Sequence, residues 1–124
     1  MAYAERHKVT VTTDAAGAGI GYTPVVSGKI RQIVYDKTDF DNGVDFDVTL
    51  ETTGEVVWDQ DNVNADAVVA PRIATHTTAG VAALYAAAGL PVLDHIVVAK
   101  DRVKIAVANG GNVKSGVFYV VVGD

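Results

Sequence analysis

Carboxylates are the groups in this chain most able to do chemistry. Residues 36–66 carry ten of them (Asp36, Asp39, Asp41, Asp45, Asp47, Glu51, Glu55, Asp59, Asp61 and Asp66) against one base, Lys37. Closely spaced carboxylates suit two chemistries, ligation of a hard cation and acid–base attack on glycosidic bonds. The stretch Asp36-Lys37-Thr38-Asp39-Phe40-Asp41-Asn42-Gly43 suggests calcium. An EF-hand loop, however, needs oxygen ligands at positions one, three and five and glycine at six. With Gly43 at six, those positions hold Thr38, Phe40 and Asn42, and the register fails. Residues 59–64 fail the same test. Glycosidase chemistry is not indicated either, because an alternating strand face supplies carboxylate pairs by default.

Other reactive residue types are sparse. His7, His76 and His95 share no ligand spacing. Ser115 sits in Lys114-Ser115-Gly116, which reads as a strand start rather than a nucleophile elbow. Gly17-Ala18-Gly19-Ile20-Gly21 imitates a dinucleotide fingerprint, but its third glycine comes one place early and no βαβ unit surrounds it. The expectation is a non-enzyme with no cofactor and no metal site.

The elements that carry these residues read as strands. Residues 44–51 alternate apolar and polar, with Val44, Phe46, Val48 and Leu50 facing a core and Asp45, Asp47, Thr49 and Glu51 facing water or a partner. Residues 8–12, 29–35 and 55–58 are further strands, and the turns at Asn42-Gly43 and Thr53-Gly54 punctuate hairpins. Residues 14–24, rich in Gly and Ala, read as a loop. Val68-Val69 before Pro71 reads as a short edge strand. The alanine-rich residues 81–88, closed by Gly89 and Pro91, are the one helix candidate. Residues 93–99 and 103–107 are strands, Asn109-Gly110-Gly111-Asn112 is a hairpin turn, and 116–122 is a nearly unbroken apolar strand expected to be central and covered on both faces.

Seven or eight short strands at this spacing predict an all-β fold, an antiparallel β-sandwich of jelly-roll-like form, with a long irregular segment (residues 59–93) and at most one short helix. The division is an N-terminal arm with the first strand, residues 1–13, and a single sandwich domain, residues 14–124. At 124 residues and 49% hydrophobic, the chain can bury a proper core. It has no cysteine, which favours a cytosolic origin or assembly into something larger. The first eight residues lack the apolar core of a signal peptide. The longest apolar run, 79–93, is too short and too broken to cross a bilayer, so no membrane is expected as a partner.

The formal net charge of −5 argues against nucleic acid, and its distribution says more. Residues 36–66 carry a net −9 and the rest of the chain +4. Such a segment is either a solvated sheet face or a surface built to meet a basic partner. Tyr35, Phe46, Trp58, Phe118 and Tyr119 fall on strands and read as core, although Trp58 beside an acidic turn could stack a sugar. Tyr3 and Tyr22, in irregular segments, read as amphipathic anchors for a partner. The candidate interaction surface comprises Tyr3, Arg6, Tyr22, Asp45, Asp47, Glu51, Arg72 and Tyr85.

A resemblance adds to this reading. Ser27-Gly28-Lys29-Ile30, Gly43-Val44-Asp45-Phe46-Asp47-Val48, Glu51-Thr52-Thr53-Gly54-Glu55-Val56-Val57-Trp58, Ala70-Pro71-Arg72, and the end from Val103-Lys104-Ile105-Ala106-Val107 through Gly110-Gly111 to Gly116-Val117-Phe118 carry it. Over most of the chain from Ser27 onward, the sequence resembles small capsid decoration, or cement, proteins of tailed bacteriophages. The resemblance implies a non-enzymatic virion protein on the capsid exterior, assembled in the bacterial cytoplasm. Its implied partners are the major capsid protein and further copies of itself, as dimers or trimers that clamp neighbouring capsomers. The rival readings are a head fibre, neck or tail protein, and a carbohydrate-binding sandwich that uses Trp58 and residues 59–66.

Overall fold

Ten strands and no helix lie among the described residues, 3–124, of the computed structural model. They are β1 (Ala4–Thr12), β2 (Gly19–Tyr22), β3 (Val26–Asp36), β4 (Val44–Leu50), β5 (Val56–Val63), β6 (Ala67–Val69), β7 (Arg72–Ala74), β8 (Leu93–Asp101), β9 (Val103–Ala108) and β10 (Ser115–Gly123). Every pairing between them is antiparallel. One sheet runs β1-β10-β3-β8-β7, with β6 also on β3, and the other runs β2-β9-β4-β5. The two pack face to face, so the all-β antiparallel sandwich read from the alternation is the observed fold.

The pairings are nested. β4 meets β5, β3 meets β8, β2 meets β9 and β1 meets β10. The chain is therefore one long hairpin that turns between β4 and β5, with β1–β4 as one arm and β5 and β8–β10 as the other. It is rolled until β10 also meets β3 and β9 also meets β4. β6, β7 and the residues after them are an insertion between β5 and β8.

Period-two sorting of side chains drives this closure. On β4, Val44, Phe46, Val48 and Leu50 are buried while Asp47 is exposed and Asp45 and Thr49 are half-buried. Facing them across the core are Ile30, Ile33 and Tyr35 of β3 and Phe118 and Val120 of β10. Phe46 sits at the centre, with ring centroids 4.9 Å from Tyr35, 5.1 Å from Phe118 and 4.8 Å from Trp58. The Tyr35 hydroxyl is buried and has no hydrogen-bond partner among the described residues. Burial first, and then the nearby Asp66 and Asp36 carboxylates, push its pKa up to about 12.

Five sequence expectations are corrected here. Residues 14–24 are not simply a loop, since they contain β2, paired with β9 from Gly19 to Tyr22. Its inward positions are glycines because β1 passes too close for a side chain. A Cβ on Gly21 would lie 2.7 Å from Val9 Cγ1, and one on Gly19 would lie 2.7 Å from the Thr12 carbonyl oxygen. Residues 81–88 form no helix. An isolated eight-residue alanine stretch cannot repay helix nucleation without a packed face. The segment instead continues the β7–β8 hairpin through the bridges His76–Ala82 and Leu84–Pro91.

β10 is central, between β1 and β3, but is covered on one face only; Val117, Tyr119 and Val121 on the other face are half-buried. For the same reason Tyr119 is not core and lies on the outer face, with the Arg6 guanidinium carbon 5.6 Å from its ring centroid. Finally, the first strand, read at residues 8–12, begins already at Ala4 and stays in register with β10 over its whole length, with Val9 and Val11 in the core. Met1 and Ala2 lie outside the described residues.

Asp101, the last residue of β8, ties the β4–β5 turn to the β8–β9 connection. It is buried, at 7% exposure, and accepts hydrogen bonds from the Thr52 N–H (3.1 Å), the Thr52 hydroxyl (2.9 Å) and the Arg102 N–H (2.8 Å). Burial alone would raise its pKa, but the Arg102 and Thr52 donors outweigh burial and hold the carboxyl below the usual range. A folded pKa below the unfolded one means that the contribution is complete above the ordinary aspartate value of about 3.9. It is lost as pH falls through the depressed folded value. Asp101→Asn should therefore lower stability at neutral pH and flatten the acid limb of a stability-against-pH profile. Parallel acid limbs for the two proteins would contradict this account.

Candidate docking surfaces

Three surfaces carry the residues singled out from the sequence. The first is the outer face of the β2-β9-β4-β5 sheet. Register places Asp45 opposite Ala108, Asp47 opposite both Ala106 and Asp59, and Thr49 opposite Lys104. Asp61 joins Asp45 and Asp47 around a shallow depression over Ala106 and Ala108. Asp45 is held in place by the Asn62 N–H at 2.9 Å and the Asn109 amide at 2.7 Å. Asp47 and Asp59 face each other across the β4–β5 ladder. A side-chain hydrogen bond between them, and then the Asp47 charge, raise the pKa of Asp59. Like charges held this close disfavour both being ionised, so a cationic partner would relieve the face.

Glu51 stands apart from that group. It falls just past β4, in the turn, and forms a two-pronged ion pair with Arg102, whose Nε donates to Glu51 Oε1 at 2.9 Å. The Arg102 guanidinium in turn lies 4.0 Å from the ring centroid of Tyr22. Glu51 and Tyr22 are thus joined through a residue that sequence reading had not singled out. Among the described residues no group of three or more His, Asp or Glu side chains is arranged to hold a metal ion.

The second surface is the segment 75–92. The hydrogen bonds that hold its backbone run within it: the Thr75 N–H donates to the Val92 carbonyl (2.9 Å), Ala83 to Thr75 (3.0 Å) and Tyr85 to Leu90 (3.1 Å). Residues 73–93 contain no Asp, Glu, Lys or Arg. Yet Val81 is 62% exposed, Tyr85 75% and Leu90 77%. Tyr85 was expected at a contact and is at one of the most exposed points of the segment. Leu84 and Leu90 flank it and were missed, although the absence of charge over 21 residues was a readable signal.

The third surface is the outer face of the larger sheet. Arg6 lies on it over Tyr119, and Arg72 lies opposite His95 at its far edge, exposed and donating to the Pro71 carbonyl at 3.0 Å. Tyr3 is exposed just before β1, its hydroxyl bonded to Glu5. The structure thus brings Asp45 and Asp47 together and couples Glu51 to Tyr22. Arg6 and Arg72 share a sheet face from its opposite ends, and Tyr85 stands alone on its hairpin extension. Trp58 is half-buried with its ring edge-on to Phe46, so it serves the core margin rather than an open stacking platform. Compared with known proteins, the chain matches no family model, no curated protein and no solved structure.

Proposed function

We propose that this chain is a non-enzymatic virion structural protein that binds the outside of a phage capsid and stabilises the shell by holding neighbouring capsomers. Its partners in this reading are the major capsid protein and further copies of itself. The nested pairing, β1-β10-β3-β8 over β2-β9-β4-β5, supports reading the sandwich as an eight-stranded jelly roll, two Greek keys wound from one hairpin. That fold likeness is consistent with the sequence resemblance but does not by itself imply function.

The observation that carries the proposal is the uncharged segment 73–93. Soluble domains seldom expose so many apolar side chains in one place unless a partner covers them. Here Val81, Leu84, Tyr85 and Leu90 project from a self-held hairpin extension on a rigid sandwich. A contact of that size is individually modest, and repetition over a symmetric shell makes release slow.

The test is co-sedimentation of purified protein with shells that lack it. Tyr85→Ser/Leu90→Ser should keep the strand circular dichroism and the thermal midpoint. It should weaken shell binding by at least about tenfold, as expected for loss of buried anchors at an interface. Undiminished binding by the double variant would remove the segment, and with it this reading, from consideration.

A further inference from the structure

The two outer faces of the sandwich carry opposite charge. On the larger sheet, residues whose neighbours in sequence point into the core must themselves point out, and register confirms which share the face. Lys8 lies opposite Tyr119, Arg6 opposite Val121 and Lys29 opposite Val97. The Arg31 guanidinium reaches the outward His95 ring at 3.4 Å, and Arg72 pairs with His95 from the next strand. Five cations therefore stand on this face against three carboxylates: Asp36, opposite Val117; Asp66, which lines a depression with Asp36 and Tyr119; and Asp94, which touches the His95 ring. Between them run half-buried or exposed apolar side chains, including Tyr119, Val97 and Val68. The opposite face, about 10 Å across the core, presents Asp45, Asp47, Asp59 and Asp61 over a floor of alanines, with Lys104 and with Arg102, whose charge is already paired with Glu51 beside Tyr22.

We propose that copies of the chain associate face to back, with the acidic outer face of β2-β9-β4-β5 seated on the basic outer face of β1-β10-β3-β8 of the next copy. The occupant is argued from complementarity of sign and shape. Both faces are broad sheet surfaces, one with small alanines between its carboxylates and the other with apolar side chains between its cations. Neither face matches itself, since like would meet like, so a two-fold face-to-face dimer is disfavoured and the contact is heterologous. A cation seated between Asp47 and Asp59 also relieves the crowding of two carboxylates that face each other across the β4–β5 ladder. The contact needs no shell, and its test is independent of capsid binding.

The experiment is sedimentation of the purified chain at ionic strengths of about 0.1 M and about 1 M. At the lower value screening beyond roughly 10 Å suppresses the long-range repulsion of the net charge but spares groups in contact, and at the higher value little attraction survives. The wild-type chain should show a mean mass above 12.9 kDa at low salt and return to it at high salt. Two triple variants each keep one competent face: Asp47→Asn/Asp59→Asn/Asp61→Asn, and Arg6→Gln/Lys8→Gln/Lys29→Gln. Each alone should be monomeric, and an equimolar mixture should form a 1:1 dimer and nothing larger. A monomeric wild type at both salt concentrations overturns the proposal. So does a mixture that stays monomeric, or a variant that self-associates as the wild type does.

Discussion

Phe46→Ala should lower the free energy of unfolding by about 3–5 kcal/mol, the range for deleting a large buried aromatic side chain. Phe46 is 1% exposed and is the one residue of the smaller sheet that touches three other rings. Tyr35 and Phe118 reach it from the larger sheet, and Trp58 closes it off from its own. Removing the ring leaves a void at the junction of both sheets. The surrounding strands cannot collapse into it, because β4 is laddered on both sides, by β5 and by β9. The lost edge and tilted ring contacts add about 0.5–1.5 kcal/mol beyond area burial. Equilibrium urea unfolding should show a lower midpoint at unchanged slope, which separates lost stability from a changed denatured state. A loss below about 1 kcal/mol would mean that Phe46 does not fill the inter-sheet core.

How legible such features were depended on whether one residue type marked one face. Residues 44–50 were readable because carboxylates and aliphatics alternate there, and both the strand and its inward set follow from that contrast. In β10 the run Val117-Phe118-Tyr119-Val120-Val121-Val122 is apolar at both parities, so the pattern says strand but not which set is core. That is why Tyr119 was misplaced and Phe118 was not. β2 was hidden because its inward positions are Gly19 and Gly21, and a glycine reports close approach only once β1 is in place. The alanines at 81–88 carry high local helix propensity, which an unpackable eight-residue stretch cannot use.

Surface legibility failed for a different reason. The acidity of residues 36–66 was plain, but the facing of Asp47 and Asp59 depends on a β4–β5 register interrupted by bulges. The basic face was not visible at all, because its cations are scattered over β1, β3 and β7, which only the rolled hairpin brings side by side. Glu51 was grouped with Asp45 and Asp47 by spacing. The strand ends at Leu50, and Arg102 claims its carboxylate.

Gly116→Ala should be the most damaging single-methyl addition in the chain, costing at least about 1–3 kcal/mol through overpacking. Gly116 is the second residue of β10, opposite Val11 of β1, and its backbone is not in the left-handed region, so the demand for glycine is purely steric. A Cβ there would lie 2.2 Å from Cε2 and 2.5 Å from Cδ2 of the Phe40 ring. Phe40 is 1% exposed and cannot swing into solvent without giving up its burial. Nor can its loop easily retreat. The Asp39 N–H donates to the Ser115 carbonyl (3.1 Å), the Ser115 N–H donates to the Asp39 carboxylate (2.6 Å), and the Asp41 N–H donates to the Gly110 carbonyl (3.0 Å). The connection between β3 and β4 is thus stapled on either side of Phe40, through Asp39 to the start of β10 and through Asp41 to the β9–β10 turn. Phe40→Leu alone should also destabilise, by leaving space where the ring edge lay. In the double variant the new methyl occupies that space, so the two losses should not add. The double-mutant cycle should return a favourable coupling of at least about 1 kcal/mol. Strictly additive losses would show that the ring and the glycine are not in contact, and that the packing at the β10 entrance differs from the one described.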